Sequence, residues 1–164
     1  MPANVFCKIQ GIEGDSTISG FEKHIEIVSF SHGVTQPVSS SGSGRGSLTV
    51  AQSEHHEFVL QTQMSTHSPK VMLHASNGQH IPKIEVTLCR AAGDKPIQYM
   101  KYEFEDVVIS SYHPSGHDHG DDLPMESIGL TYGKMKMTYT ASDTTGKEKG
   151  KMTASYDRRT GKAE

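Results

Sequence analysis

The stretch Gln98–Tyr112, QYMKYEFEDVVISSY, decides the fold class of this chain. Its apolar residues Met100, Tyr102 and Phe104 alternate with charged residues. A period of two is typical of a β-strand with one face toward a core, because successive side chains point to opposite faces of the sheet. The stretch therefore predicts a long strand with one buried and one solvated face.

The same period recurs on both sides of this strand. Further strands are predicted at Val5–Ile9, Ile25–Gly33, Ser47–Ala51, Glu57–Gln61, Ile84–Cys89 and Ile128–Tyr139. In the last of these the alternation slips at Gly133. A glycine at a phase slip predicts a β-bulge, in which one extra residue re-aims the side chains that follow.

One helix is predicted within residues 67–78, HSPKVMLHASNG. Ser68 is the expected N-cap, and Pro69 suits the first helical position, where its missing N–H costs nothing. The helix should stop at Gly78, which tolerates a left-handed backbone. Its apolar face is predicted to dock on the sheet: Val71, Met72 and Ala75.

The length of 164 residues favours a single domain, 1–164. Many short strands with one short helix predict a mainly β fold, a small β-barrel of two packed antiparallel sheets with one flanking α-helix. Flexible loops are expected near 37–47 and 113–122, which are polar and rich in turn residues. The polar tail from Asp143 either frays or returns to the sheet through a strand at Met152–Tyr156.

Composition excludes several classes of partner. The net charge of −3 gives no reason to expect nucleic-acid binding. There is no apolar run of the ~18 residues that membrane insertion requires, and no signal peptide, so a cytoplasmic protein is expected. Cys7 and Cys89 are expected to be reduced, although the spacing leaves a bridge possible.

Two polar clusters are candidates for metal chemistry. The first combines imidazole and carboxylate ligands on one loop: His113, His117, Asp118, His119, Asp121 and Asp122. A solvated turn-rich loop is the competing interpretation. The second cluster, Glu54–Glu57, lacks the HExxH spacing and is expected at a strand edge or turn. No nucleophile elbow or phosphate-binding loop is present, so no catalytic residue and no cofactor are predicted.

Several segments together resemble the Hcp family, the tube protein of bacterial type VI secretion. VFCKIQGIEGDST at 5–17 is similar to the family's first strand and turn, and HIEIVSFSHGVTQP at 24–37 to its second strand. Residues 58–112 resemble the longest signature, and residues 127–146 and 155–162 the closing segments. The departures are His32 in place of an aromatic residue, the absence of tryptophan and the histidine-rich loop at 113–122.

The resemblance implies a structural protein that is not an enzyme. Subunits would form homohexameric rings that stack into the inner tube of a contractile machine, with spike, sheath and effector proteins as partners. Sheath contraction would expel the tube, so a cytoplasmic protein would be secreted without a signal peptide. Effectors would travel in the ring lumen.

The resemblance also suggests positions for two contacts. A ring-stacking loop is expected at Ser39, Ser41, Gly42, Gly44, Arg45 and Ser47. Ser31 is a candidate for the lumen and cargo, or else an ordinary solvent-facing strand serine. Two alternatives remain: a metal-binding barrel or metal-dependent enzyme using the 113–122 loop, and a barrel that carries an apolar ligand.

Overall fold

The computed structural model describes residues 4–40, 48–92, 95–118, 120 and 122–164. In chain order its elements are β1 (Val5–Ile9), β2 (Ile25–Glu26), β3 (Ser29–Ser31), β4 (Val34–Thr35), β5 (Val38–Ser39), β6 (Thr49–Val50), β7 (Glu54–His55), β8 (Phe58–Gln63), α1 (Ser68–Asn77), β9 (Ile81–Ala92), β10 (Lys95–Ser115), β11 (Met125–Ser142), β12 (Glu148–Asp157) and β13 (Lys162–Ala163). The mainly β class with one flanking helix is confirmed.

Nine strands form one antiparallel sheet, and β11 is its branch point. The main order is β13-β12-β11-β10-β9-β1-β2, with β8 paired to β11 and β3 paired to β8. One edge of β11 faces β10, and its other edge pairs with β8 along Met125–Leu130 and with β12 along Lys134–Ser142. Two smaller sheets, β4-β7 and β5-β6, contain two strands each.

The predicted strand Ile25–Gly33 is broken in its middle. The N–H of Ile27 donates to Val5 O at 2.9 Å, whereas the N–H of Val28 donates to Gln61 O at 2.8 Å. This segment therefore leaves β1 and joins β8 within one peptide unit. It draws two distant strands of the large sheet together over the core, although the strand pairs among the described residues do not close the sheet into a barrel.

The core is built from the inward faces of the long strands. Phe58 and Phe104 are fully buried with ring centroids 4.8 Å apart, and Phe30 stacks on Phe58 at 5.4 Å. Each buried aromatic or aliphatic side chain of this kind stabilises the fold by roughly 1.5–3 kcal/mol. The alternation in the sequence therefore identified the buried face correctly.

The phase slip at Gly133 is real, but it is not a bulge. Across it the register is unchanged, because Glu105 pairs with Lys134 and Val107 pairs with Tyr132. Asp106, opposite Gly133, has a φ of 54°. This left-handed residue turns both strands together, so that Val107 and Tyr132 both face the core. The bulge of this strand pair lies instead between Ile109 and Ser111.

The helix spans the predicted residues with a different start. His67 is its N-cap, without a side-chain capping bond, and Ser68 is the first helical residue. The Ser68 hydroxyl accepts the N–H of Ser65 at 3.0 Å instead. Gly78 ends the helix with a φ of 66° and donates its N–H to His74 O, as predicted.

The face that α1 buries is narrower than expected. Val71 is fully buried and Ala75 packs against the core, but Met72 remains 48% exposed. At the end of the chain, the strand predicted at Met152–Tyr156 does return to the sheet, as part of β12. Cys7 and Cys89 are both buried free thiols.

Candidate assembly surfaces

Residues 32–40 and 48–56 form an arm of two legs, and the predicted stacking loop falls at Ser39 and at positions between the legs. Its two legs pair with each other, Val34 opposite His55 in β4-β7 and Val38 opposite Val50 in β5-β6. Ser39 is exposed in β5 opposite Thr49. The other five stacking residues lie outside the described residues: Ser41, Gly42, Gly44, Arg45 and Ser47.

The described part of the arm exposes apolar side chains that the sequence reasoning missed. Their exposed fractions range from 48% to 69%: Val34, Val38, Leu48 and Val50. Four large aliphatic side chains are therefore exposed to solvent on the two legs of this arm. Exposed apolar patches mark sites of interaction with other proteins. The signal was available as valines spaced between polar residues, but the serine- and glycine-rich composition concealed it.

Ser31 lies in β3, opposite Val59 of β8, and is exposed. It lines an open depression with His32, Gly33 and Glu57. The serine side chain is small, so it leaves space in this depression for another molecule. Its position is set by the pairing of β3 with β8. Its role in contacting cargo stays a prediction.

The arm joins the large sheet at Tyr132. His32 Nε2 lies 2.6 Å from the Tyr132 hydroxyl oxygen, and His55 Nδ1 lies 3.0 Å from the same atom. The His55 ring stacks on Tyr156 with centroids 4.8 Å apart. Burial raises the pKa of Tyr132 to about 12, although nearby Arg158 opposes the shift. The phenol therefore stays neutral and can both donate and accept.

A charged ladder covers the outer face of β9, β10 and β11. Lys83 Nζ lies 2.9 Å from Glu85 and 3.0 Å from Glu103, and Lys101 Nζ lies 3.1 Å from Glu85. Burial alone would raise the pKa of Glu85, but hydrogen bonds from both lysines outweigh it and the pKa is lowered. Because the charges alternate and neutralise one another, this face offers no single-sign surface to a charged ligand.

A second exposed apolar patch lies on the β11–β12 hairpin. Tyr139 faces Met152 across the two strands, and these side chains are 46% and 78% exposed. Met137, nearby on β11, is 37% exposed. The outer edge of β12 is paired with residues 162–164 at Ser155, Tyr156 and Asp157, so within the described structure the edge from Glu148 to Ala154 is open for pairing.

The predicted histidine loop does not form a metal centre in the part of the chain that is described. His113 lies within β10, opposite Ser127 of β11. His119 and Asp121 lie outside the described residues, and the others form no group of three or more histidine, cysteine or acidic ligands. The cluster Glu54–Glu57 occupies β7 and the turn after it, as predicted.

Comparisons with known proteins agree on one family. Residues 6–139 match the family described as "Type VI secretion system effector, Hcp". The chain is 25% identical to "Protein hcp1" of Pseudomonas aeruginosa over 150 residues, which are 92% of this chain and 91% of that protein. The metal-binding alternative receives no support from this family.

Solved structures give the same answer. "Structure of a type six secretion system protein" matches with a TM-score of 0.90 and 29% identity, covering 98% of both chains. Hcp1 from Salmonella typhimurium matches with a TM-score of 0.80 and 25% identity, covering 98% of this chain and 97% of that one. Among the described residues, no helix has the length and hydrophobicity that crossing a membrane requires. Since the family match spans most of its length, the chain belongs to the Hcp family of type VI secretion, whose members are tube proteins.

Proposed function

We propose that six copies of this chain close into a ring and that the rings stack into the inner tube of a type VI secretion machine. The observation that carries the proposal is the arm, which extends from the core sheet and exposes aliphatic side chains on its described part. An apolar hairpin that is solvated in one copy is suited to be buried against another.

Stacking through the arm requires a contact that is weak enough to reverse. Ordering the side chains of the arm on binding costs conformational entropy, which offsets part of the gain from burying the valines. Each contact is then modest, and six of them act together around a ring. This combination suits a tube that assembles and later disassembles.

Ring closure requires a second surface on each subunit, because a heterologous contact joins the front of one copy to the back of the next. The open β12 edge and the patch at Tyr139 and Met152 supply an apolar candidate. Met152, with an exposed fraction of 78%, is the most exposed large apolar side chain among the described residues. We assign this hairpin to the lateral contact.

Ser31 is proposed to face the lumen and contact cargo. The partners in this proposal are the spike, the sheath and effector proteins, and the chain has no catalytic role of its own. It is made in the cytoplasm and leaves the cell when the sheath contracts.

Native mass in solution tests the proposal. Light scattering after size exclusion is expected to give six times the mass of one chain, and negative-stain images of the same fraction should show annuli. A monomer that retains its β circular dichroism at all accessible concentrations would refute the ring.

A further inference from the structure

The two legs of the arm meet at a single hydroxyl group. His32 precedes β4 on the outgoing leg, and His55 ends β7 on the returning leg. Both imidazoles contact the Tyr132 oxygen, at 2.6 and 3.0 Å. Tyr132 itself is 2% exposed in the core of the large sheet. The base of the arm is therefore fastened to the core through one phenol.

The single hydrogen of the Tyr132 hydroxyl limits how many of the two imidazoles can be protonated while every hydrogen bond is kept. The phenol has one hydrogen, so it donates to one imidazole nitrogen and accepts from the N–H of the other. If both imidazoles are protonated, both facing nitrogens become donors. The Tyr132 hydrogen then loses its acceptor in a buried place, which costs roughly 1–3 kcal/mol.

The neighbouring charges also oppose protonation. The Arg158 guanidinium lies 5.5 Å from the Tyr132 ring centre, and His56 is close to both histidines. Burial lowers the pKa of His32, and repulsion from His55 and His56 lowers it further. Burial also lowers the pKa of His55, with Arg158 and His56 adding to the effect.

The carboxylates near this junction do not offset the cost of protonating His32 or His55. Glu57 is held by the Ser110 hydroxyl at 2.6 Å, and Glu54 lines the cavity next to His55 together with Arg159. Within the described residues, neither His32 nor His55 makes an ion pair, whereas Arg159 is paired with Asp157 and Asp106. In the part of the chain that is described, no carboxylate therefore contacts a proton on either histidine directly.

We propose that His32, Tyr132 and His55 form a pH-sensitive latch that holds the arm at neutral pH and releases it in mild acid. One ladder of two residue pairs, Val34–His55 and Thr35–Glu54, joins the legs at this point, beside a bond from the His56 N–H to Gly33 O at 2.9 Å. Because the legs reach the large sheet through the two contacts to Tyr132, loss of these contacts is expected to weaken the attachment of the arm. His32 stands at a position where the resemblance to the Hcp family implies an aromatic residue.

The sign follows from proton linkage. With the arm detached, both histidines regain the ordinary pKa of 6.5, whereas with the arm attached their pKa values are lower. The detached state therefore binds more protons below pH 6.5, and attachment weakens as the pH falls. Between the ordinary and the lowered pKa values, the opening equilibrium increases by up to about tenfold per pH unit for each histidine.

For the tube, this inference rests on the proposed stacking role of the arm. Released arms would no longer present Val38 and Val50 in a fixed geometry, so stacks would separate into rings in mild acid. The latch itself is a property of one subunit, and it is tested without reference to assembly.

The experiment follows the arm by NMR. In uniformly labelled protein with ¹³C-methyl valine, the imidazole signals of His32 and His55 and the methyl signals of Val34 and Val50 are recorded from pH 7.5 to 5.0. The His32→Phe variant keeps an aromatic ring but carries no proton. The His74→Gln variant removes an exposed histidine of α1 and serves as the matched control.

The expected result is that both imidazoles titrate below pH 6.5 and that the valine methyl signals change in the same window. His32→Phe should weaken that change, and His74→Gln should preserve it. Methyl signals that stay constant while the histidines titrate would overturn the latch, as would ordinary titration at pH 6.5. If His32→Phe does not fold, the titration of the wild-type protein alone decides. A monomeric protein whose valine methyl signals change with the histidine titration would support the latch and refute the ring.

Discussion

Glu126 Oε1 lies 2.5 Å from His67 Nε2, and both side chains are almost completely excluded from solvent. The other carboxylate oxygen accepts the Tyr112 hydroxyl at 2.7 Å. His67 is the N-cap of α1, whereas Glu126 and Tyr112 belong to β11 and β10. This one carboxylate therefore ties the start of the only described helix to the centre of the large sheet.

Replacing Glu126 by alanine is expected to destabilise the protein by about 3 kcal/mol, because the buried His67 and the half-buried Tyr112 both lose their acceptor. The measurement is chemical unfolding at a fixed protein concentration, since assembly itself adds stability. The matched control is Glu13→Ala, which removes the exposed pair with Lys23 and should change stability by less than ~1 kcal/mol. Equal effects of the two substitutions would contradict a structural role for the buried carboxylate.

The same carboxylate predicts a dependence on acid. Burial alone would raise the pKa of Glu126, but hydrogen bonds from His67 and Tyr112 outweigh it and the pKa lies below its ordinary value of 4.5. A lowered pKa stabilises the fold fully above 4.5, and this contribution disappears as the pH falls through the folded value. Glu126→Gln should flatten the loss of stability between pH 5 and 3, measured as the urea midpoint. An unchanged slope in the variant would be evidence against the prediction.

Gly14 is predicted to tolerate no side chain. A Cβ at this position would lie 2.2 Å from the carbonyl oxygen of His24, a backbone atom that cannot rotate away. The turn is also fixed by the Gly14 N–H, which donates to Lys23 O at 2.8 Å. Gly14→Ala should cost about 1–3 kcal/mol or more.

Gly150 provides the control for that substitution. It lies in β12, and a Cβ added there meets nothing within 4 Å. Gly150→Ala is expected to change stability by no more than ~0.5 kcal/mol. Thermal unfolding of both variants beside the wild type checks the pair, and similar transition temperatures would show that the turn near His24 adapts.

The exposed arm predicts a separation between ring formation and stacking. Replacing both Val38 and Val50 by threonine keeps the β-branched shape and removes apolar surface. Rings should persist with unchanged mass, and filaments seen by electron microscopy should become shorter or rarer. Deleting residues 42–46 should have the same effect, and full-length filaments in both variants would exclude the arm from stacking.

Replacing Ser31 is expected to weaken cargo binding without preventing assembly. Ser31→Gln places a bulkier side chain on the exposed side of β3, so the fold and the ring should be retained. Retention of an effector by the ring, measured by co-purification, should fall at least several-fold. Ser29→Gln, on the same short strand, is the comparison, and an equal effect of both would point to general crowding.

The long strands were predictable because their residues carry a strict alternation. The stretch around Phe104 alternates over many residues, and a half-buried strand is the one element that such a pattern fits. The end of the helix was predictable for a similarly local reason, since Gly78 adopts a backbone that other residues avoid. The order of the short motifs also sufficed to indicate the Hcp family.

The errors arose where a group could bond to more than one partner and its local pattern did not specify which. The Ser68 hydroxyl was expected to cap the helix, but the Ser65 N–H occupies it. The strand after Ile25 was expected to be continuous, but it exchanges β1 for β8 at Val28. The partner of Ser68 lies three residues earlier in the chain, whereas the partner of Val28 lies on a strand far from it in sequence.

The sequence by itself determined the β class, the buried faces, the helix end and the family, because each depends on periodicity, backbone preference or motif order along the chain. Only the tertiary structure decided that His32 and His55 share the hydroxyl of Tyr132 and that Glu126 meets His67 in the core. These contacts join residues that are 59 to 100 positions apart in the sequence. Such long-range contacts depend on which strands pair in the folded protein, and a local sequence pattern does not predict which strand will lie beside another.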